Sequence, residues 1–341
     1  MESLDKTLVS SWCNVRSNVP HSYIQPPENR PVGNYVTSTQ KAIPVIDLGS
    51  HDRDDITKQI LKASEEYGFF QVINHGVSKD LMDETLNIIK EFHALSPKEK
   101  VEECSKDPNK SCKLYASHDK IYNIDVNFWK DTILHPCPPS GKYMEYWPEK
   151  PAKYREVVGK YTRELNKLAH KILKLICEGL GLDPEYFQGS LSGAPVMLGH
   201  HYPPCPDPSL TLGVGKHKDP TIITLLLQEE GIQGLQVLKD NEWIGVVPIP
   251  NAFVVNIGLL LQIVTNGRVV GAEHRAVTNS SISRRSVAYF IYPSIESVIG
   301  PAQALINGST SKTYKTMPYD EFLKQYYKKG PDGPKFEQEL L

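Results

Sequence analysis

Apolar residues recur along this chain at two different periods, and the change from one to the other falls near residue 190. Side chains three and four apart share a helix face, whereas side chains two apart share a strand face. Ile56, Ile60, Ala63 and Tyr67 follow the helical period behind Asp54-Asp55, which reads as the helix cap. Lys79 to Ala94 reads as a second amphipathic helix with Leu81, Met82, Leu86, Ile89 and Phe92 on its apolar face. A long helix from about Pro151 to Leu180 buries Val157, Tyr161, Leu165, Leu168, Ile172 and Ile176, and Gly179, Gly181 and Asp183-Pro184 stop it. Between these helices, Ile43 to Leu48 alternates as an edge strand does, and Phe69 to Asn74 reads as a short buried strand ended by Gly76.

Beyond residue 190 the period shortens toward two. Strand-like runs fall at 195–202, 221–228, 234–238, 243–247, 252–257, 261–265 and 286–292, separated by Gly, Asn and Pro. Many short strands at regular spacing predict a mainly β fold with flanking helices, a double-stranded β-helix (jelly-roll) core buttressed from the N-terminal side. The expected organisation is a helical buttressing region over 1–190, a jelly-roll core over 191–300 and a partly helical tail over 301–341. Residues 1–40 read as a loose leading segment with at most one short helix. Residues 103–150, polar and Pro-rich, are the expected lid. There is no internal repeat.

Composition narrows the class. With 341 residues, 40% hydrophobic and 23% charged residues and a net charge of −2, this is an ordinary globular chain with no basic excess for nucleic acid or an anionic membrane. The six cysteines form no Cys-x-x-Cys pair, which is cytosolic usage. The first residues carry acidic side chains and no apolar core, so a signal peptide is not expected. The longest apolar stretch, Ala252 to Thr265, is too short to span a bilayer. A cytoplasmic monomer with a small-molecule substrate is the expectation.

The candidate chemistry lies in three pieces. His217-Lys218-Asp219 is followed by His274-Arg275 and then by Arg284-Arg285-Ser286. On an extended segment His217 and Asp219 face one way, and His274 can complete the set from a neighbouring strand. Two imidazoles and one carboxylate are the ligands that hold non-heme Fe(II) and leave coordination positions open. The plainer alternative is three satisfied polar residues in a β core. Arg284 and Ser286 also share a face, so that with Tyr202 they offer a guanidinium fork and two hydroxyls to the carboxylate of an organic acid. The alternative places Arg284 in an exposed Ser283-Arg284-Arg285 cluster, and Arg285 itself reads as a solvated charge. A zinc hydrolase would need a general-base glutamate that no spacing suggests. A non-catalytic metal-binding jelly roll would not need Arg284 and Ser286.

Motifs along nearly the whole chain carry a resemblance. They are IPVIDL (43–48), YGFFQVINHGV (67–77), HYPPCPDP (201–208), HKDPTIITLLLQ (217–228), GLQVLKDNEWIGVVPIPNAFVVNIG (234–258), VTNGR (264–268), EHRAV (273–277) and RRSVAYF (284–290). In these the chain resembles the plant 2-oxoglutarate- and Fe(II)-dependent dioxygenases. The resemblance implies Fe(II) on His217, Asp219 and His274, 2-oxoglutarate on Arg284, Ser286 and Tyr202, O₂ as oxidant and ascorbate as reductant. It implies hydroxylation of a small plant metabolite, with desaturation or ring closure open to the same chemistry and succinate and CO₂ as co-products. An oxidase relative that uses ascorbate in place of 2-oxoglutarate shares the Arg-x-Ser pair, so co-substrate dependence separates the two.

Two departures stand out. His200 replaces the family's usual Asn beside 2-oxoglutarate, and Gly258-Leu259 replaces the usual Gly-Asp. The second, with FWKDTILHPC (128–137), is similar to the subgroup that contains hyoscyamine 6β-hydroxylase. For the substrate pocket the candidates are Phe290, Tyr115, Asp119, Tyr122 and Phe128. A cationic alkaloid would call for a buried carboxylate, with Asp119 or Asp125 as candidates, although an exposed loop position is the plainer reading of both.

Overall fold

The computed structural model of the chain describes residues 8–31, 42–105, 112–116, 126–138, 140–306, 313–329 and 334–341. The N-terminal half contains strand β1 (Val45–Asp47), helix α1 (Arg53–Glu66), β2 (Phe69–Ile73), α2 (Lys79–Ala94), α3 (Pro97–Ser105), β3 (Lys113–Tyr115), β4 (Asp131–Pro136) and the long α4 (Tyr154–Leu180). Then come β5 (Val196–Tyr202), β6 (Leu212–His217), β7 (Ile223–Gln228), β8 (Leu235–Lys239), β9 (Glu242–Gly245), β10 (Phe253–Ile257), α5 (Leu259–Val264), β11 (His274–Val277) and β12 (Arg284–Phe290). A small β13 (Val298–Ile299) and β14 (Met317–Pro318) precede α6 (Tyr319–Lys329) and α7 (Pro334–Leu340).

Eight strands form the major sheet in the order β1-β2-β10-β7-β12-β5-β4-β3, and β6-β11-β8-β9 form a minor sheet. Apart from the parallel β1–β2 pair, the ladders of these sheets are antiparallel. This is the expected jelly roll. The two faces of the major sheet are sorted by the alternation of its strands. Leu225, Leu227, Phe253, Val255, Val287 and Tyr289 point outward into a core shared with α1, α2 and α4. Phe69 and Val254 point inward and meet Leu235, Val237 and Val246 of the minor-sheet side. The intervening inward positions, among them Thr224, Asn256, Ser286 and Phe290, are thereby left for the site.

The helices form where the apolar stripes fall. All six expected stripe residues of α4 are buried, and Gly181 ends the helix at a φ of 71°, a left-handed conformation open to glycine. On α2, Ser78 caps the start and Leu81, Met82, Ile89 and Phe92 are buried, while Leu86 is half-buried. Gly199 of β5 lets α2 approach, since a Cβ there would sit 2.9 Å from the Ile89 side chain.

Several expectations are corrected. The cap of α1 is Asp52, which accepts from the Asp55 amide at 3.0 Å; Asp54 and Asp55 lie in the first turn, where the helix dipole favours carboxylates. The run 261–265 is not a strand: 261–264 belong to α5, a helix buried on every side, so its apolar run shows no face from which a period could be read. Gly258 permits the turn into it, because a Cβ there would lie 2.0 Å from the Thr221 carbonyl oxygen. The described part of the leading segment holds four separate 3₁₀ turns rather than at most one helix. Its Trp12 and Tyr23 pack edge-on against Trp129, and Asp131 accepts from the Val9 and Ser10 amides. The stretch 103–150 contains β4, a full partner of β5; residues 106–111, 117–125 and 139 within it lie outside the described residues.

Candidate active site

His217 closes β6 and His274 opens β11, and the antiparallel register sets them directly opposite each other, ring centroids 4.1 Å apart. Asp219 lies two residues past the end of β6. One ligand atom from each of His217, Asp219 and His274 lies within 4.8 Å of the others, and among the described residues no other group of His, Cys, Asp or Glu is so disposed. Each imidazole Nδ1 donates to a backbone carbonyl, His217 to Gly215 at 2.9 Å and His274 to Ala272 at 3.1 Å. A carbonyl oxygen can only accept, so Nδ1 is the donor in each ring and Nε2 is the nitrogen turned toward Asp219. These distances are 3.4 Å from His217 and 3.6 Å from His274, both to Asp219 Oδ1.

Asp219 is held just as firmly. Its Oδ2 accepts from Thr224 Oγ1 and Asn256 Nδ2 at 2.7 and 2.5 Å, which leaves Oδ1 for the histidine side. Burial disfavours the carboxylate's charge, but the neighbouring His274 and His217 and the Thr224 hydroxyl outweigh it and hold the group below the usual carboxylate range. Burial, with His217 alongside, pulls His274 down to about 4. At neutral pH this is one carboxylate and a neutral His274, ready to donate to a cation. The C-terminal helices brace the segment: Tyr326 Oη donates to the Lys218 carbonyl at 2.7 Å and Glu337 pairs with the Lys218 ammonium. Two imidazole nitrogens and a carboxylate oxygen, partly enclosed and converging from one side, fit Fe(II) with coordination positions to spare.

Outer partners of this kind tune metal affinity. Asn256→Ala is expected to weaken Fe(II) binding by about 10- to 100-fold while the protein stays folded. Metal titration monitored together with the melting temperature checks this. Unchanged affinity would mean that Thr224 alone suffices to aim Asp219.

Arg284, Ser286 and Tyr202 form a second cluster. Arg284 pairs with Tyr202 and Ser286 with His200 across β12 and β5, and Ser286 faces Gln228 on β7. Arg284 is 3% exposed, and its Nη2 donates to Gln228 Oε1 at 2.9 Å. Its guanidinium lies over the Tyr202 ring at 5.1 Å. Gly234 makes room for it, since a Cβ there would come within 2.6 Å of Arg284 Cδ. Burial raises the Tyr202 phenol, against the opposing Arg284 charge and Ser286 hydrogen bond. Arg284 Nε and Gln228 Nε2 are buried without a hydrogen-bond partner. Buried donors without partners are costly, most of all on a cation such as Arg284, and a bound carboxylate could accept from both. Arg285, expected as a solvated charge, is instead mostly buried and pairs with Glu229 at 2.9 Å.

A cavity of about 760 Å³ opens over His217 and Asp219, within the range of small-molecule sites. Of the residues expected in the substrate pocket, Phe290, Tyr115 and Phe128 line it, and so does His200, expected beside 2-oxoglutarate. Asp119, Tyr122 and Asp125 lie outside the described residues. Arg284, Ser286 and Tyr202 sit behind the lining, next to His200, whose Nδ1 is 2.9 Å from Thr132 Oγ1. Five lining residues in particular were missed by sequence reasoning. Lys130, beside β4, is buried in the wall, and burial pulls its ammonium down to about 7 against the opposing Asp219 charge. Trp243 comes from β9, and Tyr319, Leu323 and Tyr327 come from α6. The alternation Lys130, Thr132, Leu134 was the available signal for the first.

Comparison with known proteins agrees with this geometry. Residues 193–293 match the 2OG-Fe(II) oxygenase superfamily, and residues 43–153 match the N-terminal region of non-haem dioxygenases in morphine synthesis. The chain is 44% identical over 335 residues to hyoscyamine 6-dioxygenase of Hyoscyamus niger, covering 94% of each. It is 38% identical over 312 residues to 2'-deoxymugineic-acid 2'-dioxygenase of Hordeum vulgare, covering 91% of this chain and 90% of the other. Among solved structures, JOX2 in complex with 2OG, Fe and JA superposes with a TM-score of 0.88 at 33% identity, covering 98% of this chain and 97% of the other.

Proposed function

The chain belongs to the 2OG-Fe(II) oxygenase superfamily, and from that premise we propose that it hydroxylates a small, ring-containing metabolite of plant specialised metabolism, with His217, Asp219 and His274 as the iron ligands and Arg284, Ser286 and Tyr202 as the 2-oxoglutarate anchors. The observation that carries the reading is one cavity over a two-histidine, one-carboxylate donor triad, with a buried arginine nearby whose Nε has no hydrogen-bond partner. When bound, Fe(II) with 2-oxoglutarate supplies the oxidising chemistry: O₂ and the co-substrate become succinate, CO₂ and the oxygen atom inserted into a C–H bond. The chain's own residues do the rest. The Nδ1 hydrogen bonds fix the two imidazoles, and Thr224 and Asn256 fix Asp219. Arg284 offers a planar fork to the distal carboxylate of 2-oxoglutarate, Ser286 and Tyr202 add hydroxyls, and His200 stands beside them in place of the family's amide.

The cavity walls orient the substrate and exclude water from the reacting carbon. Phe290 stacks with Tyr292 at 5.9 Å to give one aromatic wall, with Tyr115 and Phe128 completing it. Residues 1–190 act as a buttress, 191–300 as the catalytic core, and 301–341 as a tail that closes one side of the cavity. Ascorbate serves as reductant. The enzyme acts as a cytoplasmic monomer; no helix among the described residues is long and apolar enough to cross a membrane. Relatives named for hyoscyamine and for deoxymugineic acid support a specialised-metabolite substrate.

The test is stoichiometric. Purified protein with Fe(II), O₂ and ascorbate is expected to convert 2-oxoglutarate slowly to succinate and CO₂ even without substrate, and faster with it. Turnover that consumes ascorbate but no 2-oxoglutarate would make the chain an ascorbate-using oxidase. Bound iron with no turnover under a broad metabolite screen would favour a non-catalytic metal-binding jelly roll.

A further inference from the structure

Among the described lining residues, Lys130 is the one cation with no acceptor or anionic partner. It is 2% exposed yet lines the cavity, at the head of the strand whose inward positions continue through Thr132 and Leu134. The same cavity is walled in part by Leu134, Leu198, Val196 and Phe290, which can offer an ammonium nothing. No carboxylate among the described residues lies within ion-pair distance of it, and its ammonium makes no hydrogen bond there.

The cavity's other cations are engaged. Lys216 pairs with Glu273 at 3.5 Å, while Arg275 donates to Gln236 and lies 4.0 Å over the Trp243 ring. The described lining carboxylates are Asp219, committed to the histidine side, and Glu28, which is exposed. A buried ammonium in apolar walls is expensive to keep and is satisfied by an acceptor brought in from outside.

We propose that Lys130 is the polar anchor of the substrate, donating to an acyl oxygen, either a carboxylate or an ester carbonyl, on the molecule that fills this cavity. The inference rests on the oxygenase reading and deepens it by naming a substrate class. An unmasked aliphatic amine directed at this wall would meet a like charge. Burial supports the assignment from a second side: it depresses the lysine, and a partner oxygen restores its charged form. The apolar walls then place the ring system, while the acyl end sets which carbon lies over His217 and Asp219.

The test uses the full chain loaded with Fe(II) and 2-oxoglutarate without oxygen, and three probes on one skeleton: 3-phenylpropanoate, its methyl ester and 3-phenylpropylamine. Calorimetry is expected to give the acid, the ester or both roughly tenfold tighter binding than the amine. The acid arm and the ester arm distinguish a carboxylate from a carbonyl partner. Lys130→Met should erase the preference, and Lys130→Arg should retain part of it. Removing an unpaired buried charge should leave the melting temperature of Lys130→Met equal or higher, and the arginine variant covers the case of a methionine variant that does not fold.

No preference in the parent protein, including no detectable binding by any of the three, overturns the proposal, as does a preference that survives Lys130→Met. A tenfold rise in the KM for 2-oxoglutarate in uncoupled turnover, with probe selectivity unmoved, would assign Lys130 to the co-substrate instead. The oxygenase reading fails separately: it requires Fe(II)-dependent succinate formation by the parent protein, which the binding measurements do not touch.

Discussion

Asp219→Ala protein mixed anaerobically with Fe(II) and 2-oxoglutarate is expected to give no visible metal-to-ligand charge-transfer band, and in air no succinate. Asp219 is the only carboxylate in the donor set, and its Oδ1 is left open because Thr224 and Asn256 occupy Oδ2. Removing it leaves two imidazoles and no anionic charge to balance a divalent cation. The loss should exceed the roughly hundredfold that deletion of an outer hydrogen-bond partner costs. Asp219→Asn separates charge from shape, since an amide oxygen can still accept from Thr224 and Asn256. It should retain the melting temperature and still lose most metal affinity. A full band in Asp219→Ala, with iron bound stoichiometrically, would remove this residue from the ligand set.

The donor triad was legible because residue type and order survive in one dimension. His217 and Asp219 stand two apart, and His274 falls in a strand-like run that can pair beside them. The same argument found Arg284 and Ser286, whose shared face follows from period two alone. It failed where the outcome depends on what packs opposite. Asn256 and Thr224 look like ordinary polar residues of buried strands until β7 and β10 pair, with Asn256 opposite Thr224, and present both to Asp219.

Arg285 read as solvated because nothing local indicates that Glu229 lies across the β7 end. Lys130 read as one residue of a recognisable motif, and only β4 pairing beside β5 turns it inward. Tyr319 and Tyr327 sit on a C-terminal helix that returns over the site from about a hundred residues beyond His217, a separation no local pattern encodes. The error at α5 has a different cause: a short run of apolar residues with no polar face carries no period, so strand and helix are equally compatible with it.

Arg284→Met should separate stability from co-substrate binding more sharply than any other change. In the protein without 2-oxoglutarate, Arg284 is a buried cation that no described carboxylate neutralises within ion-pair distance, with Nε left unpaired. Replacing such a charge by an apolar side chain of similar length is commonly neutral or stabilising, by about 1–4 kcal/mol. The melting temperature of the variant should therefore hold or rise. Its KM for 2-oxoglutarate should rise about two orders of magnitude, since it loses a fork of charge-assisted hydrogen bonds worth about 1.5–3 kcal/mol each. Added 2-oxoglutarate at about a hundred times its dissociation constant should stabilise the parent by about 2.7 kcal/mol and the variant hardly at all. Arg284→Lys keeps the charge but not the planar fork, so it should recover only part of the affinity. A variant that melts lower and binds 2-oxoglutarate normally would make Arg284 a structural residue held by Gln228 and Tyr202, and would move the co-substrate's distal carboxylate elsewhere in the cavity.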